Sequence, residues 1–99
     1  MEKSYNLSEE KIEELVVDFK AMGDAGRLKI ILELLGGKKS VGEISLACKL
    51  SQSATSHALR ILKDAKILKS LKDGNVNYYY IADEHVRTII ELSIEHLDC

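Results

Sequence analysis

The sequence has no proline, one phenylalanine and only two cysteines among its 99 residues. Without proline, helix ends have to be marked by glycines and polar caps. Two cysteines are too few for a disulfide framework, and no basic stretch followed by an apolar core opens the chain. No secretory signal is therefore expected, and the cysteines are expected as free thiols of a cytoplasmic protein. Apolar runs are broken by charge well short of membrane-spanning length, so no membrane partner is expected. Also missing are a nucleophile with its base, a phosphate-cradling loop and a carboxylate pair suited to a cleft. No enzymatic activity is expected.

A strong net charge is lacking too, at −2 overall. The average hides a gradient. Residues 52–80 hold Arg60, Lys63, Lys66, Lys69 and Lys72 against Asp64 and Asp73. Residues 81–99 hold Asp83, Glu84, Glu91, Glu95 and Asp98 against Arg87. Such a split suits a protein that holds a polyanion with one surface and a cation with another, although ordinary surface variation also produces it.

What is present is a small, mainly α domain over residues 1–99. Ser8 is placed to cap a helix reaching about residue 22, with Ile12, Leu15, Val16 and Phe19 at helical spacing. Gly23 closes it and Asp24 can cap the next. Leu28 to Leu35 is apolar on most sides and is predicted as a central buried helix. Gly36 and Gly37 break it, leaving Lys38 and Lys39 in a loop. A short helix over 41–48, the tight turn Lys49-Leu50-Ser51 and a second helix over 52–65 then fit a helix-turn-helix. The second helix has an inner stripe of Ala54, Ala58, Ile61, Leu62 and Ala65. Its other side carries Gln52, Ser53, Ser56, His57, Arg60 and Lys63, where small hydroxyls and long cations suit a major groove. A solvated face would look the same. The sequence that follows decides between them: Ile67–Leu71, a Lys72-Asp73-Gly74-Asn75 turn and Val76–Ile81 predict a hairpin over 67–81. Lys69 and Lys72 on that hairpin are placed to flank DNA. Helix-turn-helix plus basic hairpin is a winged helix, and double-stranded DNA becomes the expected partner.

The last helix, over 83–97, carries four metal-type ligands. Asp83 doubles as its N-cap, His85 follows, and His96 and Cys99 stand near its end. His85 and His96 share a helix face within about 20°, but are about 16 Å apart along the axis. No single ion bridges that gap with bonds of roughly 2.0–2.3 Å. Two antiparallel copies would bring Asp83 and His85 of one chain to His96 and Cys99 of the other, twice, by symmetry. The expectation is a homodimer, joined by helices 8–22 and 83–97, with two metal sites. Taken singly, each ligand has a plain role as a cap, an exposed imidazole or a terminal thiol; the shared spacing points to metal. A carboxylate, two imidazoles and a thiolate suit Zn(II) first, with Cd(II), Co(II) or Ni(II) behind it.

These motifs resemble the ArsR/SmtB family of metal-sensing winged helix-turn-helix repressors. The likeness runs from about Val17 to the end. It is carried by Phe19-Lys20-Ala21-Met22-Gly23-Asp24 with Arg27-Leu28-Lys29-Ile30, by Leu50-Ser51-Gln52-Ser53-Ala54-Thr55-Ser56-His57-Ala58-Leu59, and by Asp83-x-His85 with His96-x-x-Cys99. The last resembles the subgroup whose metal site lies on the final helix. Ala25 and Gly26 depart from the family's usual Pro-Thr, and Cys99 stands where the subgroup has His or Glu. Ser40 and Gly42 occupy the positions of the cysteine pair that forms another site in the family, so that site is expected to be absent. Cys48 matches a core aliphatic position. The resemblance implies a dimer that holds an inverted-repeat operator without metal and releases it with metal. It also implies a relay in which the ring N–H of His96 bonds a backbone carbonyl near Lys66. Two alternatives remain open from the residues alone: a thiol-based redox sensor using Cys48 and Cys99, and a metal-stabilised protein-interaction dimer that binds no DNA.

Overall fold

The computed structural model of the protein describes residues 5–99, with the element order α1 (Glu9–Met22), α2 (Ala25–Leu34), β1 (Lys39–Ser40), α3 (Val41–Cys48), α4 (Gln52–Asp64), β2 (Leu68–Asp73), β3 (Val76–Ile81) and α5 (Glu84–Leu97). The arrangement is a winged helix-turn-helix. Polar side chains set the helix starts: Ser8, Asp24, Ser40, Ser51 and Asp83 each accept a first-turn amide of α1, α2, α3, α4 and α5 in turn. Each such cap contributes about 1 kcal/mol by removing an orphan donor. At α3 the cap is reciprocal, because the Glu43 carboxylate accepts the Ser40 amide at 2.9 Å. The Ser40 amide, and after it the Ser40 hydroxyl, holds the exposed Glu43 carboxyl below the usual carboxylate range.

The end of α1 is held differently. Arg27 Nε donates to the Ala21 carbonyl at 2.7 Å and its Nη2 to the Lys20 carbonyl at 3.2 Å. A cation thus serves the last carbonyls of α1 and fixes its angle to α2. Within one chain α2 buries Ile30, Ile31 and Leu34, while Leu28 and Leu32 stay exposed. Its burial is one-sided, whereas its composition predicts burial on most sides.

Lys39 and Ser40, expected in a loop, form a short strand. They pair antiparallel with β3, Lys39 with Tyr79 and Ser40 with Tyr78, giving the sheet order β1-β3-β2. Two residues carry no alternation, so nothing local announces such a strand.

The inner face of α4 consists of Thr55, Ala58, Leu59 and Leu62, while Ala54 is exposed and Ile61 and Ala65 are half-buried. The stripe is turned by about one residue from the expected one. Thr55 goes inside because its hydroxyl is satisfied there: it donates to the Ser51 carbonyl at 2.9 Å and accepts from Ser45 Oγ at 3.0 Å. After α4 the chain reverses through Lys66 at φ 62°. The amide of Ile67 returns to the Leu62 carbonyl and that of Lys66 to Lys63, both at 2.9 Å, closing the helix end.

In the hairpin, Asp73 pairs with Val76, so the turn centres on Gly74 and Asn75, one residue later than expected. Gly74 alone of the two has positive φ, at 64°, the sign pattern of a type II′ turn and a conformation that favours glycine. Val86 and Ile90 seat α5 on the core, and Arg87 Nη1 bonds the Leu35 carbonyl at 3.0 Å. Among the described residues no helix is long and apolar enough to cross a membrane.

Candidate nucleic-acid interface and candidate metal ligands

The outward face of α4 is built by its own periodicity. Gln52, Ser53, Ser56, His57, Arg60 and Lys63 are all exposed, and at 100° per residue they fall within an arc of about 140° opposite the buried stripe. The helix is held against α3 from within by the Ser45–Thr55–Ser51 chain of hydrogen bonds. A protruding helix of small polar residues and cations, rigidly backed, has the shape and donor set for a major groove. Lys49 adds a further exposed cation just before α4, in a left-handed conformation at φ 56°. The sequence reading did not single it out; a lysine in so short a turn before that helix was the available signal.

The wing carries Lys69 and Lys72, both exposed. Lys69 lies opposite Tyr80 and Lys72 opposite Asn77. At the base of the sheet Lys38 Nζ sits 5.1 Å from the centre of the Tyr78 ring. Lys66 is exposed at the α4–β2 junction.

The four candidate metal ligands fall into two pairs at the two ends of α5. At the start, Asp83 Oδ1 lies 3.6 Å from His85 Nδ1. The same oxygen accepts the Val86 amide at 3.1 Å, so the other carboxylate oxygen is the one left for a further ligand. The His85 side chain is 93% exposed. At the far end His96 is on the last turn and Cys99 follows the cap residue Asp98, both exposed. Within one chain the two pairs do not meet: among the described residues no group of three His, Cys, Asp or Glu side chains could hold an ion. The helix between them is straight-sided in composition. His85, Ile89, Leu92 and His96 share one face within about 60°, and Ile89 and Leu92 are exposed.

That face continues into a groove bounded by α1, the α4–β2 junction and the start of α5. Leu15, Phe19 and Met22 line it from α1, Lys66 and Ile67 from the junction, and Asp83, His85 and Ile89 from the other side. Lys66 therefore lines the same groove as the Asp83–His85 pair, while His96, in the same chain, is at the opposite end of α5. Exposed Ile12, Val16, Val17 and Phe19 extend the apolar surface along α1.

The two cysteines are both free. Cys48 is packed in the core, where burial pushes its thiol above the ordinary value. A buried thiol of raised pKa is poorly nucleophilic. Ser40 is engaged as the α3 cap, and the space around Gly42 is open.

Residues 24–70 match the family described as bacterial regulatory protein, arsR family. The chain is 46% identical over 85 residues to a helix-turn-helix-type transcriptional regulator of Methanocaldococcus jannaschii, spanning 84% of this chain and 94% of that one. It is 38% identical over 79 residues to a homologue of the cadmium resistance transcriptional regulatory protein CadC from Staphylococcus aureus, spanning 79% of this chain and 65% of that one. Among solved structures it is similar to a homodimeric winged helix-turn-helix DNA-binding domain from Mycobacterium bovis, with TM-score 0.86 and 26% identity over 96% of this chain and 91% of that one.

Proposed function

Because the chain belongs to the ArsR family of bacterial regulatory proteins and is thus a transcriptional regulator, we propose that it is a homodimeric repressor which holds an inverted-repeat operator and releases it when zinc, or a similar divalent ion, binds between its two α5 helices. The observation that carries this is the placement of Asp83–His85 and His96–Cys99 at opposite ends of one exposed helix face. The midpoint between His85 and His96 is also the midpoint between Ile89 and Leu92. A twofold axis there sets each imidazole opposite the other imidazole of the partner chain, and each apolar residue opposite the other apolar residue. The exposed apolar residues of α1 and α5 supply the buried area a dimer needs, and the similar Mycobacterium bovis domain is homodimeric.

The donor set fits the ion. Asp83 keeps one oxygen free beside His85, and a partner's His96 and Cys99 complete four ligands of the kinds zinc takes. Bound there, zinc would act as a closed cross-link between protomers rather than as a catalyst. Every other role belongs to the chain. Asp83 orients His85 and starts α5. Val86, Ile90 and Arg87 couple α5 to the core and to the end of α2. In this reading a backbone carbonyl near Lys66, which lines the same groove as Asp83, accepts a hydrogen bond from the ring N–H of a partner's His96 and passes the change to the end of α4. Operator contacts come from Gln52, Ser53, Ser56, His57, Arg60 and Lys63, with Lys72 of the wing alongside.

The test is a fluorescence-anisotropy titration of the metal-free dimer with duplex DNA from upstream of its own gene, with and without zinc. Tight binding that zinc weakens by about 5–150-fold supports the reading, the range typical of coupling between two sites. Tight binding that is indifferent to zinc, cadmium, cobalt and nickel overturns the metal part. Absence of binding in every state overturns the whole.

A further inference from the structure

Strand parity divides the wing into two unlike faces. Successive side chains alternate, so Leu68, Ser70 and Lys72 share one face with Ile81, Tyr79 and Asn77 opposite them. Leu68 is buried, and Tyr79 and Ile81 pack on the core, so this is the face turned toward the body that carries α4. Followed outward past the body, it ends in the exposed pair Lys72 and Asn77. The other face pairs Lys69 with Tyr80, Leu71 with Tyr78 and Asp73 with Val76. Its free end offers a carboxylate and two exposed apolar side chains, Leu71 and Val76, which suit a polyanion poorly. The two wing lysines therefore cannot lie on DNA through the same surface.

From this geometry we infer that the wing lays its inward face against the minor groove beside the recognition site, with Asn77 as a base-reading residue, Lys72 on the neighbouring phosphate, and Lys69 off the DNA. The inference rests on the DNA-binding reading above. With α4 in a major groove, the next surface along the duplex is a phosphate ridge and then a minor groove. A directly opposed cross-strand pair places its Cβ atoms about 4.5–5.5 Å apart. One compact amide and one long cation are thus presented side by side, near the tip and on the correct face. Neither side chain is hydrogen-bonded or ion-paired within the described protein, so both are available. The asparagine amide donates to adenine N3 or thymine O2 on the groove floor, where the exocyclic amine of guanine would instead crowd it. The expected consequence is a preference for A·T pairs in the flank, set by a residue outside the recognition helix.

The experiment uses the full-length dimer and a duplex that the wild-type protein selects from a random pool. Flanking A·T pairs are replaced by G·C or by inosine·C, which keeps the minor-groove pattern of A·T while changing the major groove. Wild type should bind the A·T and inosine duplexes alike and the G·C duplex about ten-fold more weakly. N77A should bind all three within about two-fold of one another. K72A should weaken binding to every duplex and lower the log–log salt slope by about 1, whereas K69A should leave slope and affinity unchanged. Thermal melts of the three variants establish that they fold. Retention of the flank preference by N77A, or a K69A slope falling as far as that of K72A, overturns the inference while leaving the DNA-binding reading standing. A wild-type protein that selects no duplex overturns both.

Discussion

Ser45 Oγ donates to Thr55 Oγ1 at 3.0 Å, a hydrogen bond that joins the two helices of the helix-turn-helix from inside. Thr55 is fully buried, and its own proton goes to the Ser51 carbonyl, so the hydroxyl serves both partners at once. Thr55→Val keeps the shape and removes both bonds. It should cost about 1–2 kcal/mol, since a buried partner is left unsatisfied, which for a domain of this size lowers Tm by roughly 4–16 °C. Ser45→Ala should cost less, because Thr55 keeps its bond to Ser51. Thermal and urea unfolding of the two variants check the order; a Ser45→Ala loss equal to or above that of Thr55→Val contradicts it.

Arg27 ties the end of α1 to the start of α2 through two carbonyls. Arg27→Ala should destabilise the protein by about 1.5–3 kcal/mol, the range for hydrogen bonds from a charged group. Arg27→Lys should recover only part of that, because an ammonium lacks the guanidinium fork. Denaturant midpoints at a common m-value measure both.

The proposed two-chain metal site makes a prediction that a single-chain site does not. His85→Ala and His96→Ala should each abolish the zinc response as homodimers. A heterodimer made from one chain of each kind regenerates one complete ligand set and should recover zinc binding at half the wild-type stoichiometry. Titration of that heterodimer with zinc by isothermal calorimetry reads the result, and failure to recover any site sinks the intersubunit arrangement.

Asp83 has two duties, as cap and as candidate ligand, and Asp83→Asn separates them. Asparagine caps helices as well as aspartate does, so thermal stability without metal should hold. Zinc affinity should fall, because the carboxylate charge is gone. A loss of stability as large as that of Asp83→Ala would show that the charge, and not the acceptor, secures α5.

The Ser40–Glu43 reciprocal cap gives a pH dependence of definite sign. The folded-state pKa of Glu43 is depressed, first by its bond to the Ser40 amide and then by the Ser40 hydroxyl. Its contribution is therefore complete above the unfolded carboxylate value and is lost as pH falls through the lower, folded value. Stability curves of wild type and Glu43→Gln should converge in acid and separate above it.

Much of this architecture is legible in the residues, and the misses have physical causes. Ser8, Asp24 and Asp83 act as the caps the sequence announces, because capping is a local bond between neighbours. The exposed side of α4 is legible for the same reason, being one helix repeat. Its buried side is read one residue off, because Thr55 looks polar until Ser45, ten residues earlier, is placed beside it. Strand β1 escapes because it exists only by pairing with β3, some forty residues away. The candidate metal ligands are legible as four ligand types at the two ends of one helix, with His85 and His96 at a shared helical phase. The two pairs lie at opposite ends of α5 and do not meet within one chain, so the antiparallel pairing drawn from their spacing is a matter for a second molecule that one chain does not contain.

The separation of charge along the fold has a consequence for how fast the protein finds its target. Cations gather on α4 and the wing, while Glu9, Glu10, Glu13, Glu14 and Asp18 line α1 and Glu84, Glu91, Glu95 and Asp98 line α5. The net charge of −2 disfavours DNA, while the exposed cations of α4 and the wing favour it locally. In the field of a duplex the protein turns before it touches, so that most encounters begin with the reading surface foremost. Raising the salt concentration screens that torque and slows association.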